Sequence, residues 1–236
     1  MKKSLWNLSV SIVLLTWCLA QSPLDQILGR AKSSSLSNEK ITAGLKEALK
    51  VSTGKAVAST GRPDGFLKNA AIKILLPPKL QTVGKGMRMM GMGQQVDELE
   101  VGMNRAAEQA APAAKQIFLN SLTKMTFSDA RAILSGTDTA ATDFFKRTST
   151  DQLTTAFTPI VHNSMENVGV IKQYDQLMQN PMAARLNSSG NLNLDKYVVG
   201  KALDGIFYMM GQEEKKIRKD PSAQITPLLK EVFGKK

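Results

Sequence analysis

Apolar residues recur every three or four positions along most of the chain, which is the spacing that places side chains on one face of an α-helix. In residues 38–60 the pattern includes Leu45, Leu49 and Ala56, and it returns in residues 94–110 and 195–219. The helical stretches are unequal in length, the connections are short, and no repeat has a fixed period. The pattern therefore predicts an all-α fold: an irregular, multi-helix single domain.

One stretch departs from the helical pattern. Residues 66–77 follow a turn-forming GRPDG sequence and contain an apolar run at 71–76, from which periodicity alone predicts either a short strand or an extended, packed segment. Pro77 and Pro78 end this stretch, and Pro78 is well placed as the first residue of the next helix.

Helix boundaries are predicted from capping residues. Ser128 is expected to cap a short helix, and Asp195 is expected to cap the helix over 195–219. Ser149 and Gln152 have capping-box spacing, which predicts that a new helix opens there. Pro159 lies inside that helix and predicts a kink or a break.

The N-terminus has the layout of a secretory signal. Lys2 and Lys3 precede a short apolar run over residues 10–15, and the small residue Ala20 follows Cys18 and Leu19. We expect a signal peptide at 1–20 that is cleaved after about Ala20, a linker at 21–36, and an all-helical domain at 37–234 with a basic N-terminal lobe at 37–90. The expected location is the periplasm, and the alternative is a lipoprotein anchored at Cys18.

Export limits the chemistry that the chain can perform. Cleavage removes Cys18, the single cysteine, so the mature chain has neither a thiol nor a disulfide and depends on core packing for stability. No later stretch is long and apolar enough to predict a membrane span.

Positive charge is concentrated near the N-terminus. Residues 21–90 carry twelve Lys/Arg and four Asp/Glu, whereas residues 91–236 carry seventeen and sixteen. This asymmetry indicates either a solvated lysine-rich helix face or attraction to an anionic surface such as phospholipid head groups or acidic glycans. The candidate binding residues are Lys46, Lys50, Lys55, Arg62, Lys68 and Lys73.

Four groups of short stretches identify a family. They are GRPDGFL at 61–67; DELE at 97–100 with MNRAAE at 103–108; AAT at 140–142 with FKRT at 145–148; and KALDGIF at 201–207, followed by EEK at 213–215, IR at 217–218 and DP at 220–221. The chain resembles the bacterial exported family catalogued as domain of unknown function 4197. The resemblance covers nearly all of the mature chain in order, and it implies an all-α, exported protein without implying an activity.

Charged and polar residues on the predicted helices form a candidate network. Its members are Glu98, Asn104, Arg105, Glu108, Arg147, Thr148, Asp204, Glu213, Glu214 and Arg218. We interpret these residues mainly as inter-helical ion pairs that fix helix register. The alternative is a carboxylate-dependent hydrolase, because two carboxylates flanking one bond can hydrolyse a glycoside.

Two further features bear on metals. Met87, Met89, Met90 and Met92 form a cluster that either fills an irregular core or binds copper(I) through soft thioether ligands. His162 is the single histidine, which argues against a hydrolase triad or a zinc site, and we expect it to be a packed or surface residue.

These observations favour a non-enzymatic envelope protein that binds an anionic envelope component or another envelope protein. Hydrolase chemistry and copper binding remain the second and third hypotheses. We expect no cofactor, and no nucleic acid, because the basic region holds a single aromatic residue, Phe66, where stacking would need several.

Overall fold

The computed structural model describes residues 38–179, 193–224 and Lys230. The described part of the chain is helical and contains no strand, which confirms the predicted all-α class. The predicted signal peptide and linker lie outside the described residues. The α-helices are α1 (Asn38–Thr60), α2 (Pro78–Met89), α3 (Gly93–Ala110), α4 (Ala114–Lys124), α5 (Phe127–Ser135), α6 (Ala140–Asn167), α7 (Val170–Met178) and α8 (Leu194–Lys219), with short 3-10 helices at Ala111–Ala113 and Pro221–Ala223.

The long helices α6 and α8 pack against each other and organise the domain. Helix α1 lies against α8, α4 and α5, while α3 lies against α6, α8, α2 and α7. Three aromatic rings from different helices meet in the core. Phe118 of α4 lies edge-on to Phe145 of α6, with ring centroids 5.2 Å apart, and to Phe207 of α8, at 6.0 Å. These contacts fix α4 against the α6–α8 pair.

The segment between α1 and α2 is extended and packed, as one of the two sequence alternatives predicted. Ile72, Ile74 and Leu76 alternate with exposed residues and are buried, but the segment pairs with no strand among the described residues. Helix α2 then begins at Pro78, as predicted.

The prediction that a helix opens at Ser149 is wrong. Helix α6 runs without interruption through this position, because Phe145, Ser149, Leu153 and Phe157 form one continuous buried stripe. The Ser149 hydroxyl lies 2.8 Å from that of Ser121 in the contact with α4, rather than capping a helix.

Pro159 lies within α6 and does not end it. Because proline has no backbone N–H, the carbonyl of Thr155, four residues earlier, has no partner in the helix. Pro159 and Thr155 are both exposed, so this carbonyl lies on the solvent side of the helix.

Two predicted caps are also wrong by two residues. Thr126, not Ser128, caps α5. Thr126 and Asp129 form a capping box: the Thr126 hydroxyl accepts from the Asp129 N–H, and the Asp129 carboxylate accepts from the Thr126 N–H. Asn193, not Asp195, caps α8 by accepting from the N–H of Lys196 at 2.8 Å. Asp195 is instead bound to His162.

Candidate functional site

Helix α3 holds the extended segment through a row of buried side chains spaced four residues apart. Glu100, Asn104 and Glu108 are each less than a tenth exposed. Asn104 accepts from the N–H of Ile74 at 2.9 Å and donates to its carbonyl at 2.8 Å. Glu100 accepts from the N–H of Leu76 at 3.4 Å. The backbone of an extended segment is thus paired by helix side chains where a sheet would have supplied a neighbouring strand.

The same row fixes the turn at the start of the segment. Glu108 accepts from the N–H groups of Phe66 and Leu67 at 3.0 and 3.1 Å, and its second oxygen pairs with Arg105 at 2.6 Å. Arg105 also binds Asp64 at 2.6 Å. A chain of charge-assisted hydrogen bonds therefore runs from the turn to the helix.

Asp64 occupies an unusual position in this chain. Its φ angle is 65°, in the left-handed region that aspartate adopts more readily than most residues. Hydrogen bonds from Lys68 and then from Arg105 lower the pKa of Asp64 below its usual value. The carboxylates of Glu108 and Asp64 in turn raise the pKa of Arg105. The ionised pair is therefore the stable form over a wide pH range.

The turn is completed by a close contact with α8. A Cβ atom on Gly205 would collide with Cε1 of the Phe66 ring, so any side chain at this position would force the ring to move. Phe66 is fully buried. The stretches 61–67, 103–108 and 201–207, which are far apart in sequence, therefore meet at one place.

A second set of buried polar contacts connects α8 to the start of α6. We call this set, and the set in which Glu108 and Arg105 hold the turn, the two joints of the fold. The Glu214 carboxylate accepts from the backbone N–H groups of Ala141 and Thr142, both at 2.9 Å, and from the Thr142 hydroxyl. Arg218 binds the same carboxylate at 2.9 Å and donates to the carbonyl of Ile133 at the end of α5 at 2.7 Å. Glu214 thus caps α6 from another helix, where a negative charge is favoured.

These two joints bear on the alternatives for the polar network. Glu108 and Glu214 are buried, and every carboxylate oxygen is bound to a backbone amide, a hydroxyl or an arginine. A hydrolytic carboxylate pair must instead face an open cleft with room for substrate. The arrangement therefore favours a structural role for these residues. The Arg105–Glu108 and Arg218–Glu214 pairs each lie within one helix. Glu108 and Glu214 reach other elements by accepting from the backbone amides of those elements, and Arg105 reaches the turn by pairing with Asp64.

The other predicted network residues lie apart from these joints. Asp204, which is exposed, and Glu213, which is partly buried, pair with neighbouring lysines on α8. The guanidinium of Arg147 lies over the ring of Phe144 at 5.8 Å, and the Thr148 hydroxyl donates to a backbone carbonyl within α6. Glu98 accepts from the side-chain amides of Gln94 and Gln173.

The candidate basic residues occupy α1 and the segment after it. Lys46 and Lys50 lie one turn apart on the same flank of α1, whereas Lys55 is about 140° further around the helix axis. Across the described residues, these three lysines and Arg62 form no ion pair. Two more candidates are engaged: Lys68 binds Asp64 at 2.8 Å and Lys73 lies 3.9 Å from Glu100.

The methionine cluster divides between core and surface. Met87 is buried and Met92 half-buried, whereas Met89 and Met90 are 82% and 60% exposed. His162 is a partly exposed surface residue whose Nδ1 lies 2.8 Å from the Asp195 carboxylate, tying α6 to the first turn of α8. Among the described residues, no three His, Cys, Asp or Glu side chains come together as a metal site would require.

An open groove of about 900 Å³ lies beside α3, between the α2–α3 turn and α7. We call it the α3 groove. Its lining includes the two valines Val101 and Val168, which are 40% and 50% exposed, together with Glu98 and Gln173. Gln173 Oε1 is buried and has no hydrogen-bond partner among the described residues.

Sequence reasoning missed several of these residues. Glu100 lies four residues before Asn104, and this spacing was a readable signal that it belongs to the same row. Val101, Val168 and Gln173 gave no signal, because only the packing of α7 on α3 brings them together. A Cβ on Gly102 would lie 2.0 Å from Cγ2 of Val170, which shows how closely the two helices approach.

The fold and its joints define an all-α domain whose polar residues mainly position its own backbone. The profile of the family described as protein of unknown function (DUF4197) matches residues 35–234. The chain belongs to this family, as the sequence motifs indicated. A comparison with curated proteins finds no match, and a comparison with solved structures finds none either.

Proposed function

We propose that this chain is an exported, non-enzymatic binding protein that attaches to an anionic envelope component through α1 and the segment that follows it. One observation carries the proposal. The described residues 38–90 contain ten Lys/Arg and three Asp/Glu, and four of the six candidate binding residues form no ion pair within the described chain.

The pairing of charges elsewhere supports this assignment. In the joints formed by Glu108 and Glu214, charged groups are buried and matched by partners. Lys46, Lys50 and Lys55 of α1 form no ion pair within the described chain, so their field extends into solvent. Uncompensated positive charge attracts anionic surfaces over roughly one Debye length, which is about 10 Å at 0.1 M salt.

The geometry of α1 places Lys46 and Lys50 at the centre of the proposed contact. They share one flank of the helix, and Arg62 lies exposed in the turn after its end. Lys55 faces another direction, and Lys68 and Lys73 are held by carboxylates, so we expect smaller contributions from these three.

The envelope location rests on the order of residues at the N-terminus, from the basic head to the small residues before position 21. Within the described chain, none of the helices has the length and apolar character of a membrane span. Mass spectrometry of the mature N-terminus tests the location: a chain starting at residue 21 supports export and cleavage, a lipid on Cys18 identifies an anchored form, and an intact Met1 in the cytosol contradicts export.

Binding is tested by co-sedimentation with phosphatidylglycerol-containing vesicles, phosphatidylcholine vesicles and peptidoglycan across a salt series. A basic residue near an anionic surface contributes about 1 kcal/mol, so Lys46→Gln with Lys50→Gln should weaken vesicle binding about 30-fold. The matched control is Lys115→Gln with Lys124→Gln, which removes the same charge from exposed positions of α4 that form no ion pair within the described chain. The control variant should bind as the parent does.

Two results would contradict the proposal. One is the absence of salt-sensitive binding to both the anionic vesicles and peptidoglycan. The other is an equal loss of binding in the α1 variant and the α4 control, because this would indicate a response to net charge without a defined surface.

A further inference from the structure

Helix α3 presents two polar surfaces, and within the described chain only one of them is covered by an extended segment. The row of Glu100, Asn104 and Glu108 holds the extended segment by bonding to its backbone. About a quarter turn around the helix, Glu98 and Val101 face the α3 groove. The helix thus already binds one extended backbone through its side chains, and the neighbouring surface with Glu98 and Val101 is open to solvent as far as the described residues show.

Exposed apolar side chains are concentrated at this groove. Among the described residues, six large hydrophobic side chains are well exposed. Val101 and Val168 line the groove, while Met89 and Met90 directly precede Gly91 at its rim. Exposed apolar patches mark interaction sites, and methionine adapts to partners of varied shape.

The charged residues that line the groove favour a ligand with positive charge. Arg88 is bound to Asp97 at 2.7 Å, and Arg105 is bound to Asp64 at 2.6 Å. Glu98 is different, because within the described chain it has only side-chain amide partners and no cation within ion-pair distance. A ligand entering the groove therefore meets one uncompensated negative charge.

Besides the apolar side chains and the charge of Glu98, the groove offers a hydrogen-bond acceptor, which is Gln173. Its Nε2 donates to Glu98 at 3.1 Å, which fixes the orientation of the amide. Its Oε1 is buried without a hydrogen-bond partner in the described structure. Since a buried acceptor without a donor is unfavourable, Gln173 gains a bond if its side chain turns Oε1 towards a ligand N–H in the groove.

We propose that the α3 groove binds an extended, cationic segment of a partner protein. An apolar side chain of the segment lies against Val101 and Val168, a Lys or Arg side chain pairs with Glu98, and a donor group bonds to Gln173. The groove floor from Glu98 to Arg105 spans about 10 Å, the length of about three extended residues. This binding mode is independent of the proposed attachment through α1.

Selection from a random heptapeptide phage library on the full mature chain tests the proposal. The expected consensus joins an apolar residue to a Lys or Arg, and the synthetic, fluorescein-labelled consensus peptide is then measured by fluorescence anisotropy. Val101→Glu should weaken binding at least about tenfold. Leu75→Glu is the matched control, because Leu75 is 48% exposed and lies outside the groove, and it should leave binding unchanged.

Charge reversal provides a second test that does not depend on the valine variant. Glu98→Lys should lose the basic consensus peptide and gain its counterpart in which Glu replaces each Lys or Arg. Val101 and Glu98 are both exposed to solvent, so circular dichroism should show native helicity in the two variants. The proposal is overturned if no peptide distinguishes the parent from Val101→Glu, if the consensus is acidic, or if Glu98→Lys leaves the preference unchanged. A dimer in sedimentation that Val101→Glu converts to a monomer would also overturn it, since a second copy would then be the occupant.

Discussion

Replacing Asn104 with alanine should test whether the side-chain row of α3 holds the domain together. Asn104 is fully buried, and it bonds to both backbone groups of Ile74, which is itself 1% exposed. In Asn104→Ala both groups lose their partner inside the protein. Each buried, unsatisfied backbone group costs about 1–3 kcal/mol, so we expect the free energy of unfolding to fall by about 2–6 kcal/mol.

Two opposing effects bring the expectation towards the lower end of this range. Alanine favours the helix by a few tenths of a kcal/mol over asparagine, and water entering the vacated space can restore part of the bonding. The carbonyl of Glu100 also accepts from the Asn104 side-chain amide, but it lies inside α3 and still has the ordinary helical N–H donor four residues later in the variant. A loss of at least about 2 kcal/mol is therefore the expected result.

The assay is urea unfolding followed by far-UV circular dichroism, with Asn120→Ala as the matched control. Asn120 is exposed on α4 and accepts a single bond from Gln116, so its replacement should cost less than about 0.5 kcal/mol. Amide hydrogen exchange locates the effect, because protection should disappear at Ile74 and persist at Leu76, which Glu100 holds. A loss below about 1 kcal/mol, or unchanged protection at Ile74, would refute the reasoning.

Three further predictions address the other joints and the acid end of the stability curve. Gly205→Ala should lower the free energy of unfolding by about 1–3 kcal/mol through overpacking against the Phe66 ring, while Gly200→Ala, with open space around its Cβ, should be neutral or stabilising in the same urea assay. Glu214→Ala should lower the free energy of unfolding by about 3–5 kcal/mol, because it removes the cap of α6 and takes the Glu214 carboxylate away from the buried guanidinium of Arg218. Glu213→Ala on the same helix should cost under about 1 kcal/mol. The lowered pKa of Asp64 stabilises the fold above about pH 4, the pKa of an unfolded aspartate, and this contribution is lost as pH falls through the folded value. Asp64→Asn should therefore show a shallower loss of thermal stability at acid pH, and an unchanged slope would contradict the assignment.

Periodicity was sufficient to predict the helices, because buried positions recur at helical spacing in α1, α3 and α8. Local capping signals were less reliable. Ser149 has the residue type and spacing of a cap, but the buried stripe from Phe145 to Phe157 keeps the helix continuous. At α5 the correct signal was present in the sequence, since Thr126 and Asp129 also have capping-box spacing. Tertiary packing decides which of several locally adequate signals is used.

The polar network could be predicted only in part, because Glu100 and Asp64 belong to it and were not predicted as members. Spacing on one helix face grouped Glu98, Arg105 and Glu108, with Asn104 adjacent, and the i,i+3 pair between Arg105 and Glu108 follows from that spacing. The partners across the fold, which are Asp64 and the backbone of Ile74, lie 41 and 30 residues away from the side chains that bind them. No sequence period links such positions, so their contacts depend on how the extended segment packs on α3.

The stretches that identify the family are mostly accounted for by folding. GRPDGFL at 61–67 is held by Glu108 and Gly205, and AAT at 140–142 is capped by Glu214. In DELE at 97–100, Asp97 binds Arg88, Leu99 is in the core and Glu100 binds the Leu76 amide.

Glu98 is the member of this stretch that holds no backbone and neutralises no cation within the described chain. The proposed pairing of Glu98 with a Lys or Arg of a bound segment would supply the role that this residue lacks within the described chain. Glu98 lines the α3 groove together with the two exposed valines and Gln173.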